Sequence, residues 1–198
     1  MTMIAILGNG RVGGSLARAL TGAGHEVTVA DRSSGSAVDA ARTAQVVINA
    51  TPGAGSLQRL TALREELRGK ILVDVSNATA DGPDGLPAGL LHPGSSLAEH
   101  LQEALPDTRV VKTLNTMLYT VMTAPAALTQ APTAFLSGND PEAKQVVRGL
   151  LADLGWQQEW ITDLGGIGTA RATEAAVLFV PHVIRSSGFA PFAISITR

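Results

Sequence analysis

The chain has no cysteine, which excludes disulfides, thiolate nucleophiles and cysteine-ligated metal centres. Aromatic residues make up 4% of it, with one tyrosine and two tryptophans, too few for a stacking platform that would hold single-stranded nucleic acid. Charged residues are sparse at 16% and nearly balanced, with a net charge of -2, so no polyelectrolyte or anionic membrane surface is an expected partner. The four histidines, His25, His92, His100 and His182, are scattered without ligand spacing, and no metal is expected. No apolar run reaches the length of a membrane span. The first residues enter a strand-like run without the basic start and cleavage site of a secretory signal, so the expected location is the cytoplasm.

What the chain does have is 198 residues, 45% of them hydrophobic, enough for one α/β domain with a small appendage. Apolar runs at 3–7, 26–30, 45–50, 70–75, 109–113 and 132–137 read as strands. Helical patterns occupy 11–22, 36–43, 56–68, 96–105, 140–154 and 168–180. Continuous apolar strands alternating with helices predict a parallel sheet covered on both faces, a Rossmann-like doubly wound α/β fold. Only about fourteen residues separate Asp31 from the run at 45–50. That shortened segment has room for one helix, so an edge strand is expected to be missing and the adenine side of a nucleotide site to be open. Residues 1–162 are expected to form the dinucleotide-binding domain. Residues 163–198 follow as a small helical C-terminal extension, interrupted or kinked at Pro181 and ending in the apolar tail Gly188–Ile196. A tail so apolar is expected to cover something, within its own subunit or across a homodimer interface.

The most informative stretch is Gly8-Asn9-Gly10-Arg11-Val12-Gly13, between the first strand and the first helix. In that context the glycines have separate tasks. Gly8 permits the tight turn, Gly10 lets a pyrophosphate approach the backbone, and Gly13 lets helix and strand pack closely. The helix start then offers free N–H groups and a positive dipole end. The loop lacks the Lys-Ser/Thr of a nucleotide-hydrolysing P-loop.

Ligands of such a sheet lie at the carboxyl ends of its strands. After the second strand stands Asp31, 18 residues beyond Gly13, where an acid would take a ribose 2′-OH and favour NAD. Arg32, Ser33 and Ser34 follow and would suit a 2′-phosphate and NADP; the two signals conflict. Thr51-Pro52-Gly53, Ser76-Asn77 and Asn115-Thr116 follow the next strands and are candidates for the nicotinamide side. Lys112 reads as a structural stem along the sheet end or as a ligand contact. His92 is the best-placed acid or base, or else an ordinary surface histidine. No Ser/His/Asp set, carboxylate pair or activated lysine stands out. Hydride passing directly between two rings needs chiefly alignment, whereas oxidation of a hydroxy acid needs a base. The poverty of titratable groups therefore favours ring-to-ring transfer.

Taken together, Ile4–Gly13, Val111-Lys112-Thr113-Leu114-Asn115-Thr116, Phe135-Leu136-Ser137-Gly138-Asn139-Asp140, Asp163-Leu164-Gly165-Gly166-Ile167 with Ala170-Arg171 and Glu174, and the tail Phe189-Ala190-Pro191-Phe192 resemble the deazaflavin (coenzyme F420)-dependent NADP oxidoreductases. The resemblance implies a Rossmann domain with a small C-terminal part and hydride exchange between NADPH and a deazaflavin or flavin-like acceptor. It implies that Gly8, Asn9, Gly10, Arg11 and Val12 hold the pyrophosphate. Arg32, Ser33 and Ser34 would then face the 2′-phosphate, with Thr51, Pro52, Ser76 and Asn115 bordering the nicotinamide. Asp31 and the shortened 32–44 segment depart from the family pattern. Two other readings remain: a hydroxyacid or prephenate-type dehydrogenase working near Asn115 and His92, and a non-catalytic NAD(P)-binding module that senses redox state.

Overall fold

The structure, a computed structural model, describes residues 1–31 and 34–196, without the side chain of Ser34. The chain alternates β1 (Met3–Leu7), α1 (Arg11–Gly22), β2 (Glu26–Ala30), α2 (Ser34–Thr43), β3 (Val46–Asn49), α3 (Ser56–Thr61), α4 (Arg64–Leu67) and β4 (Ile71–Asp74). A hairpin of β5 (Thr79–Asp81) and β6 (Pro87–Leu90) precedes α5 (Leu97–Ala104), β7 (Arg109–Lys112) and α6 (Tyr119–Met122). Then come β8 (Ala134–Gly138), α7 (Pro141–Asp153), β9 (Ile161–Asp163), α8 (Ala170–Ala175), a 3₁₀ segment over Ala176–Phe179 and α9 (Val180–Ser187). The main sheet has the order β2-β1-β3-β4-β7-β8-β9. Its first five strands are parallel; β8 reverses against β7 through Val111↔Gly138 and Lys112↔Ser137, and β9 runs parallel to β8.

Alternation along β1 sorts the core into two layers. Ile4 and Ile6 pack with Leu16 and Leu20 of α1 and with Val147, Leu150 and Leu151 of α7. Ala5 and Leu7 pack on the other face with Ala40 and Ala41 of α2, Leu60, Leu67, and Leu97 and Leu101 of α5. This is the expected doubly wound arrangement. The strand order reverses between β1 and β3, which sets the ligand crevice at the glycine loop. One helix alone joins β2 to β3, and β2 is the sheet edge, as the short 32–44 segment predicts. Lys70 Nζ closes the end of that helix by donating to the carbonyls of Ala41, Arg42 and Ala44 at 2.6–2.7 Å.

Four features differ from the sequence reading. The expected helix over 56–68 is two short ones, because Leu63 tightens onto the Leu60 carbonyl (3.0 Å) and so keeps Leu60, Leu63 and Leu67 all buried. The β5–β6 hairpin and β9 carry no sequence signal; their strands are three or four residues long and too short for a period to show. The helical run beginning near 170 continues past Pro181. A 3₁₀ segment separates α8 from α9, and Pro181 falls in the first turn of α9, where its missing N–H has no partner to lose.

Candidate functional site

The turn out of β1 is held open by its glycines. Gly8 has φ +108°, and a Cβ there would lie 2.7 Å from the Ala50 carbonyl oxygen. A Cβ on Gly13 would lie 1.9 Å from the Gly8 carbonyl oxygen, whereas one on Gly10 would meet nothing within 4 Å. The space in front of Gly10 is therefore vacant of protein. Behind it, α1 begins with no side-chain cap and no acidic residue in its first turn, so its leading N–H groups point at that space without an intrahelical partner. Ser96 and Asp140, by contrast, cap α5 and α7. The donors fit a pyrophosphate. Arg11 stands at the same corner, its guanidinium 5.5 Å from the Tyr119 ring centre.

The neighbouring loops touch one another in the order of the strands. Gly8 abuts Ala50 and Thr51. Gly53 is packed so tightly on the next loop that a Cβ would lie 2.2 Å from the Asn77 carbonyl oxygen. Asn77 then reaches the β7 loop, donating from Nδ2 to the Asn115 carbonyl (2.9 Å) and accepting at Oδ1 from Asn115 Nδ2 (2.9 Å). Leu114 turns the chain into that position with φ 60°, a strained conformation for a bulky residue of the kind that gathers at ligand sites.

Beneath these loops lies a buried polar network. Asn49 Nδ2 donates to Asp74 Oδ1 (2.8 Å), and Asn49 Oδ1 accepts from the Thr51 hydroxyl (2.7 Å). Asp74 Oδ1 also accepts from Ser76 Oγ (2.7 Å). Lys112 Nζ spends its three protons on Asp74 Oδ2 (2.7 Å), the Ser76 carbonyl (2.5 Å) and Glu174 Oε1 (2.9 Å). Burial by itself pulls the Lys112 ammonium down, but the carboxylates of Asp74 and Glu174 outweigh it and hold Lys112 above the ordinary lysine range. Lys112 is thus a structural cation, the first of its two sequence readings.

A cavity of about 380 Å³ opens beside the amide pair. Asn77, Asn115, Thr116 and Met117 line it on the sheet side; Ala176, Val177, Phe179, Val180, Val183, Phe192, Ala193 and Ile194 form the other wall. The tail that completes this wall is pinned to its own chain. Leu118 N–H donates to the Phe192 carbonyl (2.9 Å), Ile194 N–H to the Thr116 carbonyl (3.1 Å) and Thr133 N–H to the Ile194 carbonyl (3.3 Å). The apolar tail therefore covers a cavity of its own subunit.

Asn9, Gly10, Arg11 and Asp31 are exposed, and Thr51 and Val12 half-buried. Pro52 is exposed, and its carbonyl accepts from Arg59 (2.5 Å). Ser76 turns its hydroxyl inward to Asp74. Arg32 and Ser33, and the side chain of Ser34, lie outside the described residues. Asn49, Arg59 and Glu174 carry the site's scaffolding without having been singled out as site residues. Asn49 and Asp74 do have a signal, as polar residues closing otherwise apolar strands; Arg59, which holds Thr51, Pro52, Ala54 and Ser56, has none.

His92 lies between β6 and α5, half-buried, with its ring 4.5 Å from that of His100. It is absent from the cavity lining. Burial, then His100, pushes its pKa down, against a weaker upward pull from Glu174. The unfolded chain therefore takes up this proton first on acidification, and folding loses stability as pH falls below about 6.5. Urea denaturation at pH 7.5 and 5.5 should show a smaller acid loss in His92→Asn; an unchanged loss contradicts the assignment.

Residues 3–78 match the profile of the family described as NADP oxidoreductase coenzyme F420-dependent. The F420-dependent NADP reductase of Methanocaldococcus jannaschii is 32% identical over 140 residues, which is 69% of this chain and 60% of that protein. The crystal structure of a candidate F420-dependent NADP-reductase from Arthrobacter sp. FB24 superposes with a TM-score of 0.91 at 36% identity, covering 100% of both chains. The chain belongs to the coenzyme F420-dependent NADP oxidoreductase family. A more distant fold relation joins this family member to Mycobacterium tuberculosis 3-hydroxyisobutyrate dehydrogenase, with a TM-score of 0.66 at 20% identity over 94% of this chain and 62% of that one. The stretch shared with the Methanocaldococcus protein is less than two thirds of that protein's length.

Proposed function

We propose that this protein transfers hydride between NADP(H) and a deazaflavin or flavin-like acceptor, residues 1–162 holding the dinucleotide and 163–198 walling the acceptor. One observation carries the reading: the cavity beside the Asn77–Asn115 pair has no ionisable side chain among its lining residues. Oxidation of a hydroxy acid needs a base at the reacting carbon, and none lines this cavity among the described residues. Direct transfer needs two rings held face to face. NADPH gives up hydride and becomes NADP⁺; the acceptor ring takes the hydride and, from solvent, a proton. The free edges of the two amides suit a carboxamide or a ring imide. The loop from Gly8 to Gly13 places the pyrophosphate, with Asn9, Arg11 and Val12 lining it. Thr51, Pro52, Ser76 and Asn115 border the nicotinamide, and no helix among the described residues is long and apolar enough to cross a membrane.

The test is stopped-flow oxidation of NADPH against coenzyme F420, a free flavin and a panel of small 2-keto acids. Rapid oxidation by the deazaflavin is expected. Oxidation by a keto acid alone, with a bell-shaped pH profile, points instead to the dehydrogenase reading, and binding without turnover to the sensor. NADPH should bind tighter than NADH. Charge-assisted hydrogen bonds from Arg32, Ser33 and Ser34 to a 2′-phosphate contribute about 1.5–3 kcal/mol each, so Arg32→Ala should lower the preference by ten- to a hundredfold, on the order of that contribution. An unchanged ratio removes Arg32 from phosphate recognition, leaving Asp31 to select the ribose.

The same reading includes a homodimer through the C-terminal region. Phe179 and Phe189 are 62% and 66% exposed, and Leu178 and Ile196 are also exposed. Light scattering at low micromolar concentration should give twice the chain mass. A fully active monomer rejects the dimer.

A further inference from the structure

Glu174 is buried, ionisable and not used in the hydride transfer, yet its two oxygens make three bonds to two other elements, α5 and β7. Its Oε2 accepts the Leu97 N–H at 2.9 Å, and its Oε1 accepts the Ala98 N–H at 3.2 Å and the Lys112 ammonium at 2.9 Å. One carboxylate thus caps the start of α5, where the helix dipole favours it, and grips the cation that fixes Asp74 and the Ser76 carbonyl. Two residues further along the chain the cavity wall begins with Ala176 and Val177. Through Lys112, Asp74 and Asn49 the same set of bonds reaches the Thr51 hydroxyl.

We infer that Glu174 is a positioning residue for hydride transfer: it sets the distance between the C-terminal wall of the cavity and the loops that border the nicotinamide. The inference rests on the cavity being the acceptor site. It follows from the steepness of direct transfer with distance, where a displacement of about 1 Å costs on the order of a hundredfold in rate. It also follows from the position of Glu174 near the end of α8, two residues before the wall begins. The wall is also held by the tail's backbone bonds at 116–118, by Arg171 on Glu99 and by Arg185 on Asp84; of these contacts, the Glu174 carboxylate is the one that joins α8 to the buried Lys112–Asp74 cluster.

Three variants of the full chain decide it. Glu174→Gln keeps the volume but replaces one oxygen by an N–H donor, which must face either the Leu97 N–H or both the Ala98 N–H and the Lys112 ammonium. Glu174→Ala removes all three anchors. Arg171→Ala breaks the exposed ion pair from α8 to Glu99 and leaves the buried cluster whole. The single-turnover rate of NADPH oxidation at saturating coenzyme F420 should fall about fivefold or more in Glu174→Gln and tenfold or more in Glu174→Ala. The NADPH dissociation constant should stay within twofold in both, and Arg171→Ala should keep the wild-type rate. If Glu174→Ala fails to fold, Glu174→Gln decides alone. A wild-type rate in folded Glu174→Gln overturns the inference, and so does weakened NADPH binding with the saturated rate unchanged. A wild-type protein that leaves NADPH unoxidised by either coenzyme F420 or flavin overturns the functional reading and this inference together, whereas active wild type with unaffected variants overturns the inference alone.

Discussion

Lys112→Met is expected to destabilise the fold by about 3–5 kcal/mol, the usual cost of breaking a buried ion pair from one side. The ammonium is 1% exposed and stands between Asp74 at 0% and Glu174 at 3%. Without it, two carboxylates are left facing one another in the interior, and the Ser76 carbonyl loses its 2.5 Å donor. Methionine fills most of the volume, so the loss is electrostatic rather than a packing defect. Urea denaturation at pH 7.5 measures it. Because Lys112 titrates above its unfolded value, its contribution is fully present below about pH 10.4 and disappears as pH rises through the folded pKa. Neutralising the whole cluster, as Lys112→Met with Asp74→Asn and Glu174→Gln, should recover part of the lost stability, since no uncompensated charge then remains. A single variant that loses less than about 1 kcal/mol would mean that the cluster does not hold the two carboxylates as charges.

The same cluster shows where the sequence was readable and where it was not. Strands β1 and β2 and helix α1 stand out because continuous apolar runs and a glycine turn are local signals. The missing edge strand follows from counting residues between Asp31 and Val46. The tail's apolarity announces that it covers something, but not what: Phe192, Ala193 and Ile194 seal a cavity through backbone bonds to residues 116–118, and backbone pairing across 74 to 78 residues leaves no trace in composition. Glu174 is illegible for the same reason. A lone glutamate in a helical stretch reads as a solvated face; its burial depends on Lys112 and on the α5 amides, which lie 62 and about 76 residues away in the chain. Lys112 was half legible, since a lysine closing an apolar strand is conspicuous but its partners are not.

Gly10→Val should nearly abolish dinucleotide binding while leaving the fold intact. Gly10 has φ -82° and ψ -167°, an extended conformation open to any L residue, and a Cβ there meets nothing within 4 Å. The backbone therefore has no reason to move. Replacing glycine in a compatible conformation restricts the unfolded chain and contributes about 0.4–1 kcal/mol of stability. The valine methyls instead fill the space in front of the α1 N-terminus. If the pyrophosphate sits there, it loses two or more charge-assisted hydrogen bonds at about 1.5–3 kcal/mol each, so the NADPH dissociation constant should rise on the order of a hundredfold or more. NADPH should accordingly raise the melting temperature of the wild type and leave that of the variant where it was. Gly13→Ala provides the contrast: its methyl would lie 1.9 Å from the Gly8 carbonyl oxygen, a backbone clash that must unpack α1 from β1. That variant should lose stability even without cofactor. If Gly10→Val binds NADPH as the wild type does, the phosphates do not cross the glycine loop, and the α1 N-terminus is not their anchor.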